Sequence, residues 1–179
     1  MKKIILTVFA ATSLLLYSTQ AFALLSVSVG VPLAYSSTQG GSNSNMEGYF
    51  LGVQLPFALG LGMDSHKLKS DTGSTELHTN MYNLFYQLPI PVINLILGVG
   101  TGSQEYKCND VGNGTSCSEA LDKGSATQLY TSVGFPIIPL FDVHISYRMI
   151  TSKNMKIKAS EEKLDYSGSV TGIGIAFNF

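Results

Sequence analysis

Apolar and small or polar residues alternate with a period of two along most of this chain. The segment from Tyr166 to Phe179 shows it most cleanly. From Thr171 on, Thr171, Ile173, Ile175, Phe177 and Phe179 share one face, and Gly172, Gly174, Ala176 and Asn178 share the other. Successive side chains of a strand point to opposite sides, so the segment reads as a strand with one greasy and one small or polar face. Earlier segments repeat this. Phe141, Val143, Ile145, Tyr147 and Met149 oppose Asp142, His144, Ser146 and Arg148. Ile93, Leu95, Leu97, Val99 and Thr101 oppose Asn94, Ile96, Gly98, Gly100 and Gly102. Tyr82, Leu84, Tyr86 and Leu88 oppose Met81, Asn83, Phe85 and Gln87, and Leu25, Val27, Val29, Val31 and Leu33 oppose Ser26, Ser28, Gly30, Pro32 and Ala34. The pattern predicts eight strands: Leu24–Ala34, Met46–Leu55, Leu59–Lys69, Leu77–Leu88, Ile93–Tyr106, Thr127–Phe135, Phe141–Thr151 and Leu164–Phe179. Each is near the roughly 9–11 residues that a tilted strand needs to cross a bilayer.

The connections are of two kinds. Three are short, uncharged and proline-containing, around Pro56-Phe57-Ala58, Pro89-Ile90-Pro91-Val92 and Pro136-Ile137-Ile138-Pro139. Four are longer and polar: Tyr35–Asn45, Ser70–Glu76, Lys107–Ala126 and Ser152–Lys163. Short turns at one end and long loops at the other, with an even number of strands, match an up-and-down transmembrane barrel. In a barrel the last strand pairs with the first, so its apolar face meets lipid and it is no exposed edge.

Composition supports that reading. Charged residues are only 13% and hydrophobic residues 45%, yet nothing after the amino-terminal segment reaches the roughly 18 apolar residues of a spanning helix. A soluble barrel with an apolar interior would have to expose a face of glycine, serine and threonine with few charges to keep it in solution. Eight strands also enclose a narrow interior, which suits glycines and a few paired polar groups better than rings of Leu, Phe and Tyr. Aromatics near segment ends, such as Tyr49, Phe57, Tyr106, Phe135 and Phe141, fit girdles at the two interfaces. A net charge of −1 leaves no basic stripe for nucleic acid.

The amino terminus carries an address. Lys2 and Lys3 precede an apolar run from Ile4 to Leu16, followed by Ala21-Phe22-Ala23. This is the pattern of a cleavable signal peptide over residues 1–23, which leaves residues 24–179 as one barrel domain. Export implies an oxidising compartment, so Cys108 and Cys117, close together in a polar loop, are expected to form a disulfide. It would contribute on the order of 2–3 kcal/mol by loop entropy. Metal ligation would need more ligands of suitable type, and no cofactor is expected.

The signal peptide, the eight segments, the proline-containing turns and the terminal G-I-G-I-A-F-N-F resemble the small eight-stranded outer-membrane β-barrels of Gram-negative bacteria, of the opacity, adhesion and OmpA-like type. The resemblance spans the whole chain after residue 23 and implies an outer-membrane location. It implies that Ile173, Ile175, Phe177 and Phe179 form the signal read by the barrel-assembly machinery, with outer-membrane lipid and lipopolysaccharide around the barrel. It also implies loops that display to an extracellular ligand.

Candidate chemistry lies on the polar face. Asp64, His66, Asn83, Gln87, Gln128, Asp142, His144, Ser146 and Arg148 are expected in the lumen, with Gln54 and Asn178 near its rim. Buried charges need partners, so Asp64 and Asp142 should find Arg148, His66 or His144. A packed polar core is the expected role. A narrow channel lined by Asp64, Asn83, Asp142 and Arg148 is the alternative. His144-Ile145-Ser146 raises a second, enzymatic alternative, because lipid A deacylases are small barrels with a His-x-Ser pair and a glutamate. Here Glu161 or Glu162 would supply the third member. That enzyme needs its pair open to lipid, whereas His144 and Ser146 share a face with Asp142 and Arg148. Lys153, Lys156 and Lys158 form a small basic cluster suited to phosphates or another anion. The expected role is therefore structural and interactive, with no catalysis.

Overall fold

The computed structural model describes residues 25–38, 42–43, 45–69, 75–88, 90, 93–108, 123–138, 140–153, 155–156 and 163–179. The signal-peptide segment, Cys117, Glu161 and Glu162 lie outside the described residues.

Eight long strands form one antiparallel sheet: β1 Ser26–Ser37, β2 Met46–Gln54, β3 Leu59–Lys69, β4 Thr75–Leu88, β5 Asn94–Cys108, β6 Gly124–Ile138, β7 Phe141–Lys153 and β8 Gly168–Asn178. Each pairs with its neighbour in sequence, and β8 pairs with β1 from Ser26 opposite Asn178 to Ser37 opposite Gly168. The sheet is thus an up-and-down barrel without a free edge, the condition for a sheet to stand in lipid. Reciprocal backbone bonds between Leu25 and Phe179 extend the seam to the chain's last residue.

The two faces separate as alternation requires. Outward residues such as Val29, Leu51, Leu61, Leu84, Val99, Leu129, Ile145 and Ile173 are exposed. The inward set is mostly small, aromatic or polar, with a few aliphatic residues such as Met81, Ile150 and Val170, and most of its members are buried. A water-soluble protein does the reverse, so this inversion decides the environment in favour of lipid. Glycines on the inner face make room for rings. An added Cβ at Gly60 would lie 2.1 Å from the Phe85 ring, and one at Gly98 would lie 2.1 Å from the Tyr130 ring.

Three local features differ from the sequence expectation. First, β1 continues past Ala34 to Ser37, because a bulge between Pro32 and Ala34 shifts its register against β8. The extra residue reverses parity, so Leu33 faces out while Tyr35 turns in and is buried. Second, β8 begins at Gly168 rather than Leu164. Lys163 and Leu164 instead pair with Met155 and Lys156 in a separate two-stranded ladder. Third, β6 runs on through Pro136 to Ile138, with a register shift against β7 at that point. Proline is tolerated at such an irregularity, where no ladder hydrogen bond is required of it.

Candidate functional site

The lumen is the only region where buried charged side chains converge among the described residues, and it is layered. Its middle layer centres on Asp64 of β3 and Arg148 of β7, strands that lie four apart in either direction around an eight-stranded barrel. The Arg148 Nε donates to Asp64 Oδ2 at 2.9 Å straight across the lumen. Gln128 of β6 donates through Nε2 to the same carboxylate oxygen at 2.6 Å and to Asn83 Oδ1 of β4 at 3.0 Å. A second guanidinium nitrogen donates to Ser146 Oγ. The guanidinium also lies 3.5 Å from the centroid of the Phe50 ring, with Tyr130 further off at 5.1 Å. An ion pair this deep persists only if its remaining donors and lone pairs are also met, and here amides, a hydroxyl and two ring faces meet them.

Above this layer, toward the long-loop end, apolar side chains fill much of the lumen. Tyr35, Phe50, Met81, Ala126, Ile150 and Val170 form one buried cluster, with Met46 and Leu68 packed against it. Thr79 and Gln104 lie nearby, joined by a 3.3 Å hydrogen bond. Below the ion pair lies a cavity of about 60 Å³ lined by Ser28, Asn83, Ser132, His144, Ser146 and Arg148 among others. That volume suits a few water molecules, each needing about 10–15 Å³ by this measure. At the short-turn rim Asp142 accepts from Asn94 and, at 2.9 Å, from Asn178, while Gln87 donates to Asn94 at 2.8 Å.

The residues named from sequence therefore divide among layers. Asp64, Asn83, Gln128, Ser146 and Arg148 meet in the middle. Asp142, Gln87 and Asn178 meet at the rim, and Gln54 is buried without joining either set. Asp142 lies 3.9 Å from His144 Nε2 and leans mainly on amides. His66 takes no carboxylate and packs edge-on against Phe50, ring centroids 6.2 Å apart. The His144 ring meets the hydroxyl of Ser132, 3.4 Å from Nδ1, while the Ser146 hydroxyl oxygen serves Arg148. His144 and Ser146 are both buried on the lumen side. The lipid-facing nucleophile and base of a deacylase are not assembled by this pair.

No protein-family model matches the chain, and no curated protein matches its sequence. Its fold does have solved counterparts. Neisserial surface protein A superposes with a TM-score of 0.58 at 14% identity, over 87% of this chain and 97% of its own. OprG from Pseudomonas aeruginosa gives 0.55 at 9% identity, over 88% and 97%. Ail, the attachment invasion locus protein of Yersinia pestis, gives 0.54 at 15% identity, over 86% and 96%. The fold is that of the small outer-membrane β-barrels. Ail is also known in complex with the heparin analogue sucrose octasulfate.

With the barrel placed among that fold, its long-loop end acquires meaning. The outward positions of β2 to β4 turn from apolar to charged there. Lys67 bonds Glu47 at 2.9 Å, Lys69 bonds the same carboxylate, and His78 meets Glu76 at 2.9 Å. Exposed pairs of this sort are each worth about 0–1 kcal/mol, so they mark the edge of the apolar belt more than they stabilise it. The junction into β8 is better tied. Asp165 accepts from the Ser167 hydroxyl and, at 2.8 Å, from its backbone N–H, and these bonds hold its carboxyl below the usual carboxylate range. Ser167 in turn accepts from Ser152 N–H at 3.0 Å and, through its carbonyl, from Thr38 N–H at 3.1 Å. The Tyr35 hydroxyl adds a 2.9 Å bond to the Tyr166 carbonyl. The last long loop thus lands on a braced rim.

Sequence reasoning missed Phe50 and Tyr130 as partners of Arg148, and Asn94 as partner of Asp142. Alternation along β2 would have put Phe50 on the inner face with Gly52 and Gln54, which was the available signal. Asn94 stood on the inner face of β5, yet pairing it with Asp142 needs the barrel's stagger.

Proposed function

We propose that this chain is an integral outer-membrane barrel whose role is structural and interactive, presenting its long loops outside the cell. The observation that carries this reading is the closed lumen: an ion pair spans its waist and an apolar cluster fills the end above it, while the outer wall is a lipid-facing belt. That arrangement favours a rigid display scaffold over a continuous channel or a lipid-facing hydrolase. In this reading residues 1–23 are the export signal and residues 24–179 the barrel. Ile173, Ile175 and Phe177 face outward on β8, and with Phe179 they serve as the signal for the assembly machinery. Outer-membrane lipid and lipopolysaccharide surround the belt. The disulfide between Cys108 and Cys117 closes the loop after β5.

The loop after β7 is the favoured contact for a ligand, because Lys153, Lys156 and Lys158 concentrate positive charge there. A polyanion is the fitting class, and the complex of Ail with sucrose octasulfate shows that a barrel of this fold can take one. Titration of sucrose octasulfate into the detergent-folded protein should give binding that weakens with added salt. Replacing the three lysines by alanine should reduce the affinity several-fold. No binding by the wild type at low salt, or undiminished binding by the triple variant, contradicts the assignment.

A further inference from the structure

The three short turns of the barrel carry no charged side chain; the charges at that end are the Asp142 carboxylate, tied inside the rim, and the carboxylate of Phe179. Between Gln54 and Leu59, between Gln87 and Asn94, and between Gly134 and Phe141 there is no acidic or basic residue. Instead the turns expose large apolar side chains: Phe57, 85% exposed, with Leu55, Ile137, Ile138 and Leu140, and the terminal Phe179 is exposed beside them. Turns standing in water are normally built from Gly, Pro, Asn, Asp and Ser, and of these the three short turns use only proline. Phe57 is also held at φ 75° and Ala58 at φ 66°. Two successive left-handed residues suit the primed turns of tight hairpins, where Asn-Gly is preferred. A phenylalanine there is a strained backbone outlier, and such outliers point to function.

The belt's height supplies a reason. On the β2–β3 hairpin the first outward-facing charged residues above the turn are Glu47 and Lys67. From each to the turn-flanking Leu55 or Leu59 is eight residue steps, a rise of about 20 Å at about 3.3 Å per step and a tilt of about 40°. The lipid-facing band of such barrels is about 25 Å tall. By contrast, Phe141 to Lys153 on β7 is twelve steps, about 30 Å by the same measure. The β2–β3 hairpin is therefore the short side of the barrel, and its tip holds the most exposed aromatic residue. Two more residues of chain, at about 3.3 Å each, close the shortfall.

We propose that the short turns, led by Phe57 and continued by Ile137, Ile138 and Leu140, are a membrane-binding surface that sinks into the acyl chains of the adjoining leaflet. The occupant is lipid because these residues continue the lipid-facing belt without a polar break. The sunken tip completes the span on the β2–β3 side and compensates for the strained turn. This inference rests on the membrane reading above.

The chain contains no tryptophan, so a single substitution becomes a clean depth probe. F57W and, at mid-belt, L84W are reconstituted into phosphatidylcholine vesicles with or without acyl bromination, and I137W stands in should F57W not fold. Iodide is supplied on both sides of the membrane. F57W is expected to show blue-shifted emission, several-fold quenching by brominated lipid and little by iodide. Quenching of F57W by iodide with L84W still quenched by brominated lipid overturns the proposal alone. Quenching of F57W by neither agent, which would signify cover by protein, also overturns it. Failure of brominated lipid to quench L84W removes the membrane reading itself.

Discussion

Replacing Arg148 with alanine is expected to cost the folded barrel about 3–5 kcal/mol, the range for breaking one side of a buried ion pair. The reason lies in what is left behind. Asp64, 1% exposed, would keep its charge with only Gln128 as donor, and Ser146 and the Phe50 face would lose their partner. Removing both charges should be far milder, because apolar or neutral groups of similar volume fill such a site without an uncompensated ion. Arg148→Met combined with Asp64→Asn is therefore expected to recover most of the loss. Arg148→Lys should fall between, since an ammonium keeps the charge but neither the flat contact with Phe50 nor the two-direction hydrogen bonding. Urea unfolding in lipid vesicles, followed by tyrosine fluorescence, measures the three variants against the wild type. Equal loss in the single and the double variant would show that the pair is not coupled.

An arginine on the opposite face of the same strand has a large effect of a different kind. Ile145 is 58% exposed and lies mid-strand in the belt. Ile145→Arg is expected to destabilise by about 2–4 kcal/mol, the cost of a charge at the bilayer midplane. At Thr151, near the charged edge of the belt, the same substitution should cost about 0–1 kcal/mol. A water-soluble barrel reverses this expectation, because substitutions at exposed positions usually stay within about 0.5 kcal/mol. Unfolding titrations of the two variants in vesicles give the comparison, and indifference at Ile145 would be incompatible with a lipid-facing β7.

Much of the fold was legible because alternation is a local signal. A strand's two faces differ every second residue, and turns announce themselves by proline, glycine or charge. Eight strands, two kinds of connection and the β8-to-β1 closure follow from those patterns. What alternation cannot see is a single inserted residue. The bulge after Pro32 moved Tyr35 from an expected loop to the lumen, where its hydroxyl helps to brace the landing of the last long loop. The site was less legible, because which inward residues touch depends on tilt and stagger rather than on order. Asp64 and Arg148 are 84 residues apart and meet only because β3 and β7 face each other across the barrel. Asp142 was expected to find Arg148, His66 or His144 and leans mainly on asparagines instead. His144 and Ser146 looked like a catalytic pair as letters, yet on one strand face they are consecutive inward residues, each committed to a different neighbour.

The account rests first on closure of β8 onto β1 in a membrane-spanning barrel, and heat-modifiable gel migration of the protein extracted from outer membranes tests that most directly. A closed barrel keeps its compact form in detergent until boiled, so the unboiled protein should run ahead of the boiled one. Mobility unchanged on boiling, together with recovery in the soluble periplasmic fraction, would contradict it.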